Sequence, residues 1–371
     1  MPNIESAITA ADQLFIPKIT TAQGRIRFVD EKPIDWDRVH RFLEPAAHHG
    51  MWSNRGPAWH AACKVFAEHM GLRGGQTVVP VANGGIALEA LAGLLSVKHG
   101  GEMRWAVSAF GFANSNRGLF AAAQIVDCNL DGVLDVDLID PNAIDGILVT
   151  NVFGLRGNFQ HEIAWAQRHG KKILIDNAAG LGPQIPDAPY QSFSLHHTKP
   201  YGIGEGGLMM LPEDEVEPAL RLLEYTPISP LEAKFWVNNG KISEVSVALH
   251  LARLEKVDVW RPKFIEQAEK IAAAARLEGL VPFYDGDAVA TSVPVLAPET
   301  VPPTAIQVSE ITLGKYYQPL APQPTANSLY DRILNVPSHP DMDAVTQEEI
   351  RVMFRKVLAR AKAQNEGKTS S

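Results

Sequence analysis

The stretch SFSLHHTKPYGIGEGGLMML, residues 192–211, decides how the rest of the chain is read. Its glycines Gly202, Gly204 and Gly207 spell G-x-G-x-x-G, which alone points to a dinucleotide fold. That fingerprint has to follow a strand and open a helix, so that a pyrophosphate meets the helix N-terminus. Here the glycines lead into LMML, an apolar run that reads as a strand. A nicotinamide oxidoreductase would need a helix after Gly207. What the glycines permit is a tight chain path just after Lys199, with backbone close to something flat or bulky. A lone lysine is ordinarily a solvated cation. Ser194, His196, Thr198 and Lys199, however, crowd polar and nucleophilic groups at a strand end between two apolar runs. Open α/β sheets place their ligands at such ends.

Working outward, short apolar and β-branched runs recur at TVVPVA (77–82), RWAVSA (104–109), AQIVDCN (123–129), GILVTN (146–151) and KKILID (171–176). QSFSL (191–195) and GLMML (207–211) continue the series. Helical spacing at WHAACKVFAEHM (59–70), GIALEALAGLL (85–95), NFQHEIAWAQRH (158–169) and EVEPALRLL (215–223) predicts surface helices between them. This alternation predicts an α/β large domain, a mostly parallel sheet with helices on both faces. Beyond it, ISEVSVALHLARLEKVDVW and KFIEQAEKIAAAARL predict two long helices joined at Arg261-Pro262, since proline cannot continue a helix interior. A Pro-rich stretch with the strand-like SVPVL (292–296), followed by the helical TQEEIRVMFRKVLARAKA (346–363), predicts a smaller C-terminal α/β domain. The expected division is 1–240 for the large domain with its N-terminal segment and 241–371 for the linking helices and small domain.

Composition narrows the partners. With 34 Lys and Arg against 42 Asp and Glu, the net charge of −8 repels a phosphate backbone, so nucleic acid is not expected. Cys63 and Cys128 sit in no C-x-x-C pair and read as small apolar residues of a reducing cytoplasm. Charged, Pro or Gly residues interrupt every apolar stretch, so no membrane span is expected. His48-His49 and His196-His197 are adjacent pairs without metal-ligand spacing, and no metal is expected.

A lysine at a ligand-binding strand end can form a Schiff base once partial desolvation lowers its pKa, and pyridoxal phosphate is the carbonyl cofactor that uses one. That cofactor also wants an acid at its pyridine nitrogen, a phosphate cradle and an apolar cover on its ring. Asp176 ends the strand KKILID just before NAAGLG; its ordinary alternative is to cap a turn. Asn83-Gly84-Gly85 opens a helix, where unpaired N–H groups and the helix dipole attract an anion; the alternative is a plain strand-to-helix turn. Phe110 and Phe112 leave the strand RWAVSA, either as a cover or as core.

In order along the chain, from NRGPAW (54–59) to NVPSHPDM (335–342), these motifs resemble the DegT/StrS family of sugar aminotransferases, pyridoxal-phosphate enzymes of fold type I. SLHHTKPYGIGEGG resembles the family's Schiff-base segment, which implies Lys199 as the Schiff-base lysine, Ser194 as a phosphate contact and His196 beside the substrate. LIDNAAGLG implies Asp176 as the pyridinium carboxylate, and ANGGIAL implies Gly84 and Gly85 as the phosphate turn. AFGFANS implies Phe112 stacked on the cofactor. VNNGKISE resembles a helix start whose Asn reaches the partner subunit's phosphate, which implies a homodimer with shared sites, Asn239 at the phosphate and Lys241 near the substrate. GKYYQPLAP (314–322) resembles a segment of members acting on nucleotide-linked keto-deoxysugars and brings Tyr316 to the substrate.

The chain departs from the pattern at Ala179, where Gln or His is usual, at Gly85 for Thr or Ser, and at Gly111 for Thr. A branch that dehydrates without transaminating carries His in place of the lysine, and here the position is Lys199. The resemblance thus implies ping-pong transfer of an amino group from an amino acid, L-glutamate, to a keto sugar. Its rivals are elimination on the same scaffold and a non-catalytic cofactor-binding regulator.

Overall fold

Seven strands make the main sheet among the described residues of the computed structural model, which are 4–12, 26–284, 286–307 and 311–369. They are β1 (Gln76–Val81), β2 (Trp105–Ser108), β3 (Gln124–Val126), β4 (Gly146–Thr150), β5 (Lys172–Asp176), β6 (Gln191–Ser194) and β7 (Gly207–Pro212). The order across the sheet is β1-β7-β6-β5-β4-β2-β3. β7 runs antiparallel to β1 and β6, and the other neighbours are parallel. Every residue of β2 and β4 is buried, as expected of parallel strands covered by helices on both faces. The α/β architecture read from the alternating motifs is the one observed.

A second, antiparallel sheet, ordered β10-β9-β8, is formed by β8 (Val281–Pro282), β9 (Ser292–Leu296) and β10 (Ile333–Pro337). The helices Val257–Leu277 and Gln347–Thr369 cover it, with Ile271, Ile350, Phe354 and Val357 completely buried in its core. The N-terminal segment reaches this region as well: Ile26 bridges to Ile311, and the Arg27 carbonyl meets His339 Nε2 at 2.9 Å.

Two expectations need correcting. The helix Gly84–His99 is no surface helix: Ala87, Leu88, Ala90, Leu91, Ala92, Leu94 and Leu95 are all buried. It is apolar on nearly every face because it is covered twice, by the sheet and by the chain at Leu222 and Phe235, whose atoms would lie 3.1 and 3.0 Å from a Cβ placed on Gly93. The linking helices do not meet at Arg261-Pro262 either. The break falls between Glu244–Leu254 and Val257–Leu277, and Pro262 lies inside the second helix. The lost backbone bond there is outweighed by Trp260 and Phe264, buried on either side of the proline, and by Trp260 Nε1 donating to the Arg253 carbonyl at 3.0 Å.

Candidate active site

The strand register assembles the site. Thr150 pairs with Asp176 and Asp176 with Ser192, while Ser194 pairs with Gly207 and Gly207 with Val81. The ends of β1, β4, β5 and β6 and the start of β7 therefore share one edge. The loops leaving that edge carry the Gly84-Gly85 turn, Asp176 and the Lys199 segment.

Asp176 is buried, and its Oδ1 accepts from the Ala178 N–H at 3.1 Å. Burial pushes its carboxyl above the ordinary value, opposed by the Ala178 bond and by the charge of Lys199. Burial likewise pulls Lys199 below the usual lysine value, and Asp176 opposes that shift. The two groups thus sit within electrostatic reach of each other, each biased toward its uncharged form. Next to Asp176, a ladder of side-chain amides crosses the strands. Asn151 Nδ2 donates to Asn177 Oδ1 at 2.7 Å, and Asn177 Nδ2 to Gln191 Oε1 at 3.1 Å. These bonds, made away from water, fix the turn that follows the acid.

The Lys199 segment is a tight turn. The Lys199 N–H donates to the His196 carbonyl at 2.8 Å, and the Gly202 N–H to the Lys199 carbonyl at 2.9 Å. A Cβ on Gly202 would lie 2.1 Å from the His196 carbonyl oxygen, so only glycine fits. His196 itself is tied into this turn, its Nδ1 2.9 Å from Thr198 Oγ1 and its Nε2 3.4 Å from Glu205 Oε1.

At the phosphate turn, Asn83 Oδ1 caps the helix by accepting from the Ile86 N–H at 2.9 Å. A Cβ at Gly84 would come 3.0 Å from Ser194 Cβ, which places the turn directly against Ser194. Beside Gly85 stands Asn114, whose Nδ2 is buried and finds no hydrogen-bond partner among the described residues. An unmatched buried donor at a glycine-rich helix start is what an anion would satisfy. Sequence reading had stopped at Phe112 and passed over Asn114; the signal available was a polar Asn two residues beyond the aromatic, at the mouth of the same loop.

Phe110 and Phe112 divide the two roles open to them. Phe110 is fully buried in the core, whereas the Phe112 ring is 59% exposed, 6.5 Å from the ring of Tyr317. Tyr317, also missed, is half-buried, stacks on Phe153 at 4.9 Å and lies close enough to Asp176 for that charge to raise its pKa further, after desolvation. Tyr316 packs against Phe28, ring centroids 5.7 Å apart, and Lys241 lies over the Tyr225 ring at 5.4 Å. Asn239 is exposed; its neighbour Gly240 accepts from the Ala82 N–H at 2.8 Å, so the segment runs beside its own chain's phosphate turn.

Gly207 carries the first testable consequence. A Cβ there would lie 2.3 Å from the Asn83 carbonyl carbon and 2.5 Å from the Gly84 nitrogen, both backbone. Gly207→Ala is expected to displace the turn, destabilising the fold by about 1–3 kcal/mol, the range for overpacking. Cofactor affinity should fall with it, as thermal unfolding and cofactor titration will measure.

A lysine and an acid within electrostatic reach of each other at one edge of such a sheet, beside a glycine-rich helix start, are the arrangement of fold type I pyridoxal-phosphate enzymes. The chain belongs to the DegT/DnrJ/EryC1/StrS aminotransferase family, whose sequence profile matches residues 36–301. Protein Rv3402c of Mycobacterium tuberculosis is 34% identical over 126 residues, which cover 31% of this chain and only 30% of that relative. GDP-perosamine synthase of Caulobacter vibrioides is 25% identical over 232 residues, 58% of each chain. Helicobacter pylori PseC, an aminotransferase involved in the biosynthesis of pseudoaminic acid, superposes with a TM-score of 0.72 at 15% identity, covering 91% of this chain and all of that one. At that identity the likeness speaks to fold alone. The family's cofactor is pyridoxal phosphate, and the residues present fit it: an unmatched Asn114 donor and glycine N–H groups for its phosphate, Asp176 for its ring nitrogen, Lys199 for its carbonyl.

Among the described residues no helix is long and apolar enough to cross a membrane, and no cluster of three His, Cys, Asp or Glu could hold a metal. Burial pushes the thiols of Cys63 and Cys128 up to about 12, which leaves both unreactive.

Proposed function

We propose that this chain is a transaminase that moves an amino group from an amino acid, L-glutamate, to a nucleotide-linked keto sugar. The observation that carries the reading is the strand register that brings Asp176, the Lys199 turn and the Gly84-Gly85 helix start to one sheet edge, with Asp176 and Lys199 within electrostatic reach of each other. The family supports the reaction class, and the nucleotide-linked product named by the Caulobacter relative supports the acceptor.

When bound, pyridoxal phosphate supplies a carbonyl that condenses with amines and a ring that withdraws electrons from the adjoining carbon. The chain's own residues do the rest. Lys199 Nζ, whose hold on its proton burial weakens, would take the proton from the α-carbon of the amino donor and later return one to the carbon being aminated. Asp176 would hold a proton on the ring nitrogen; its burial would make that partnership strong, because no water competes for the carboxylate. Gly84, Gly85, Ser194 and Asn114 would hold the phosphate, and the exposed Phe112 ring would cover the cofactor and shield it from water. His196, Lys241 and Tyr316 are assigned to the sugar side. The test is stoichiometric release of 2-oxoglutarate from L-glutamate, dependent on a nucleotide-linked keto sugar. Product formed without any amino donor would indicate elimination instead.

We further propose that the active unit is a homodimer in which Asn239 serves the partner's phosphate. The rival role, capping the next helix in its own chain, is ruled out by Ser243, whose Oγ caps that helix by accepting from the Ser246 N–H at 3.1 Å. Among the described residues Asn239 Oδ1 accepts a long local bond, 3.4 Å, from the Lys241 N–H, and Asn239 is exposed. Mixing Lys199→Ala chains with Asn239→Ala chains should create heterodimers holding one intact site, with activity above both parents. If Asn239 acts within its own chain, each site of the heterodimer carries one lesion, and with subunit exchange verified the activity stays no higher than that of the parents.

A further inference from the structure

The turn that carries Lys199 satisfies only part of its own backbone. Its internal bonds use the His196 and Lys199 carbonyls, leaving those of His197, Thr198 and Pro200 to find donors elsewhere. Each finds one from a different part of the chain. Lys32 Nζ, from the N-terminal segment, donates to the His197 carbonyl. Thr291 Oγ1, at the foot of β9, donates to the Thr198 carbonyl at 2.9 Å. Arg253, on the helix Glu244–Leu254, donates to the Pro200 carbonyl through Nε at 3.1 Å and Nη2 at 2.8 Å.

The two cations are deeply placed, with side-chain exposures of 0% for Lys32 and 9% for Arg253. They share a single buried carboxylate: Asp30 Oδ1 lies 3.0 Å from Lys32 and Oδ2 3.5 Å from Arg253. Two buried positive charges against one negative charge need further compensation, and the carbonyl dipoles of His197 and Pro200 provide it. The guanidinium is also pinned from the far side, 4.3 Å from the centre of the Trp260 ring. Burial pulls both cations below their ordinary pKa while Asp30 opposes the shift, as expected of charges that depend on their immediate partners.

We infer that Lys32 and Arg253, aligned by Asp30 and joined by Thr291, are positioning residues that hold the Lys199 turn by its carbonyls and so set where the lysine amine can reach. The inference rests on Lys199 being the Schiff-base and proton-transfer residue, and it goes beyond that reading by naming what places it. A base that must serve two carbons in succession tolerates little displacement, and an error of about 1 Å can cost about 10²-fold in rate.

The experiment uses the full chain and three variants: Lys32→Met, which keeps the bulk of the side chain, Thr291→Val, which removes one hydroxyl, and Thr291→Ser, which restores it. Amide exchange read by mass spectrometry on protein without cofactor should be about tenfold faster in peptides spanning the Lys199 turn for Lys32→Met and Thr291→Val, with β4 and β5 unchanged, as local opening predicts. Thr291→Ser should exchange like the parent. In cofactor-loaded protein, kcat should fall about 10–100-fold for Lys32→Met while KM for the amino donor moves by less than about threefold. Unchanged exchange at the turn overturns the inference, and so does faster exchange with unchanged kcat. Should Lys32→Met fail to fold, the Thr291 pair decides by the same two readings. Mapping the borohydride-reduced cofactor in the parent protein separates a failure of this inference from a failure of the Lys199 assignment.

Discussion

Lys199→Ala is expected to lower turnover on the order of 10⁴-fold or more while leaving the fold intact, because in the proposed mechanism one side chain supplies both the amine that condenses with the cofactor and the base that moves the proton. The backbone of the turn does not depend on the side chain: its bonds run through the Lys199 N–H and carbonyl and through Gly202. Circular dichroism and thermal unfolding should therefore stay close to the parent. Lys199→Arg should be equally inactive, since a guanidinium keeps its proton and cannot act as a base. Turnover of either variant within tenfold of the parent would remove Lys199 from the chemistry.

Asp176→Asn is expected to cut the rate by roughly 10²–10⁴-fold, the range for a lost ionic or proton-holding contribution in a site closed to water. The amide keeps the shape and can still accept from the Ala178 N–H, so the turn after β5 survives. What disappears is the negative charge beside the ring nitrogen. The loss should appear in kcat with both amino donor and acceptor, because both halves of the reaction need the same ring electronics. A variant with near-normal turnover would reduce Asp176 to a turn residue.

The parts of the fold that were legible in the sequence are those where local chemistry and tertiary context agree. The strand motifs GILVTN and KKILID are apolar because the strands are covered on both faces, and they form β4 and β5 within a residue of the expected bounds. The G-x-G-x-x-G was separable from a dinucleotide fingerprint because LMML has no helical spacing, and β7 follows the last glycine. Helical spacing in GIALEALAGLL predicted the helix but not its burial, since the second layer covering it comes from Leu222 and Phe235, more than a hundred residues away. Pro262 misled for a similar reason: the rule for proline is local, whereas the packing of Trp260 and Phe264 is not.

Within the site, the residues proposed to do chemistry stood out because their types are unusual at strand ends. Those that hold them did not. Asn151, Asn177 and Gln191 are ordinary loop and strand residues until the parallel register of β4, β5 and β6 lines them up beside Asp176. Lys32, Arg253 and Thr291 come from three distant stretches, and only the folded chain brings them to three carbonyls of one turn, those of His197, Pro200 and Thr198. Gly84 and Ser194 were identified separately, and their direct contact follows from the pairing of Gly207 with both β1 and β6.

The central claim is that Lys199 carries the cofactor, and borohydride reduction of the pyridoxal-phosphate-loaded protein, followed by peptide mapping, tests it most directly. The account predicts a stable phosphopyridoxyl label on Lys199, in the peptide that contains Thr198 and Pro200. A label on another lysine, or no label on protein that has bound the cofactor, would contradict it.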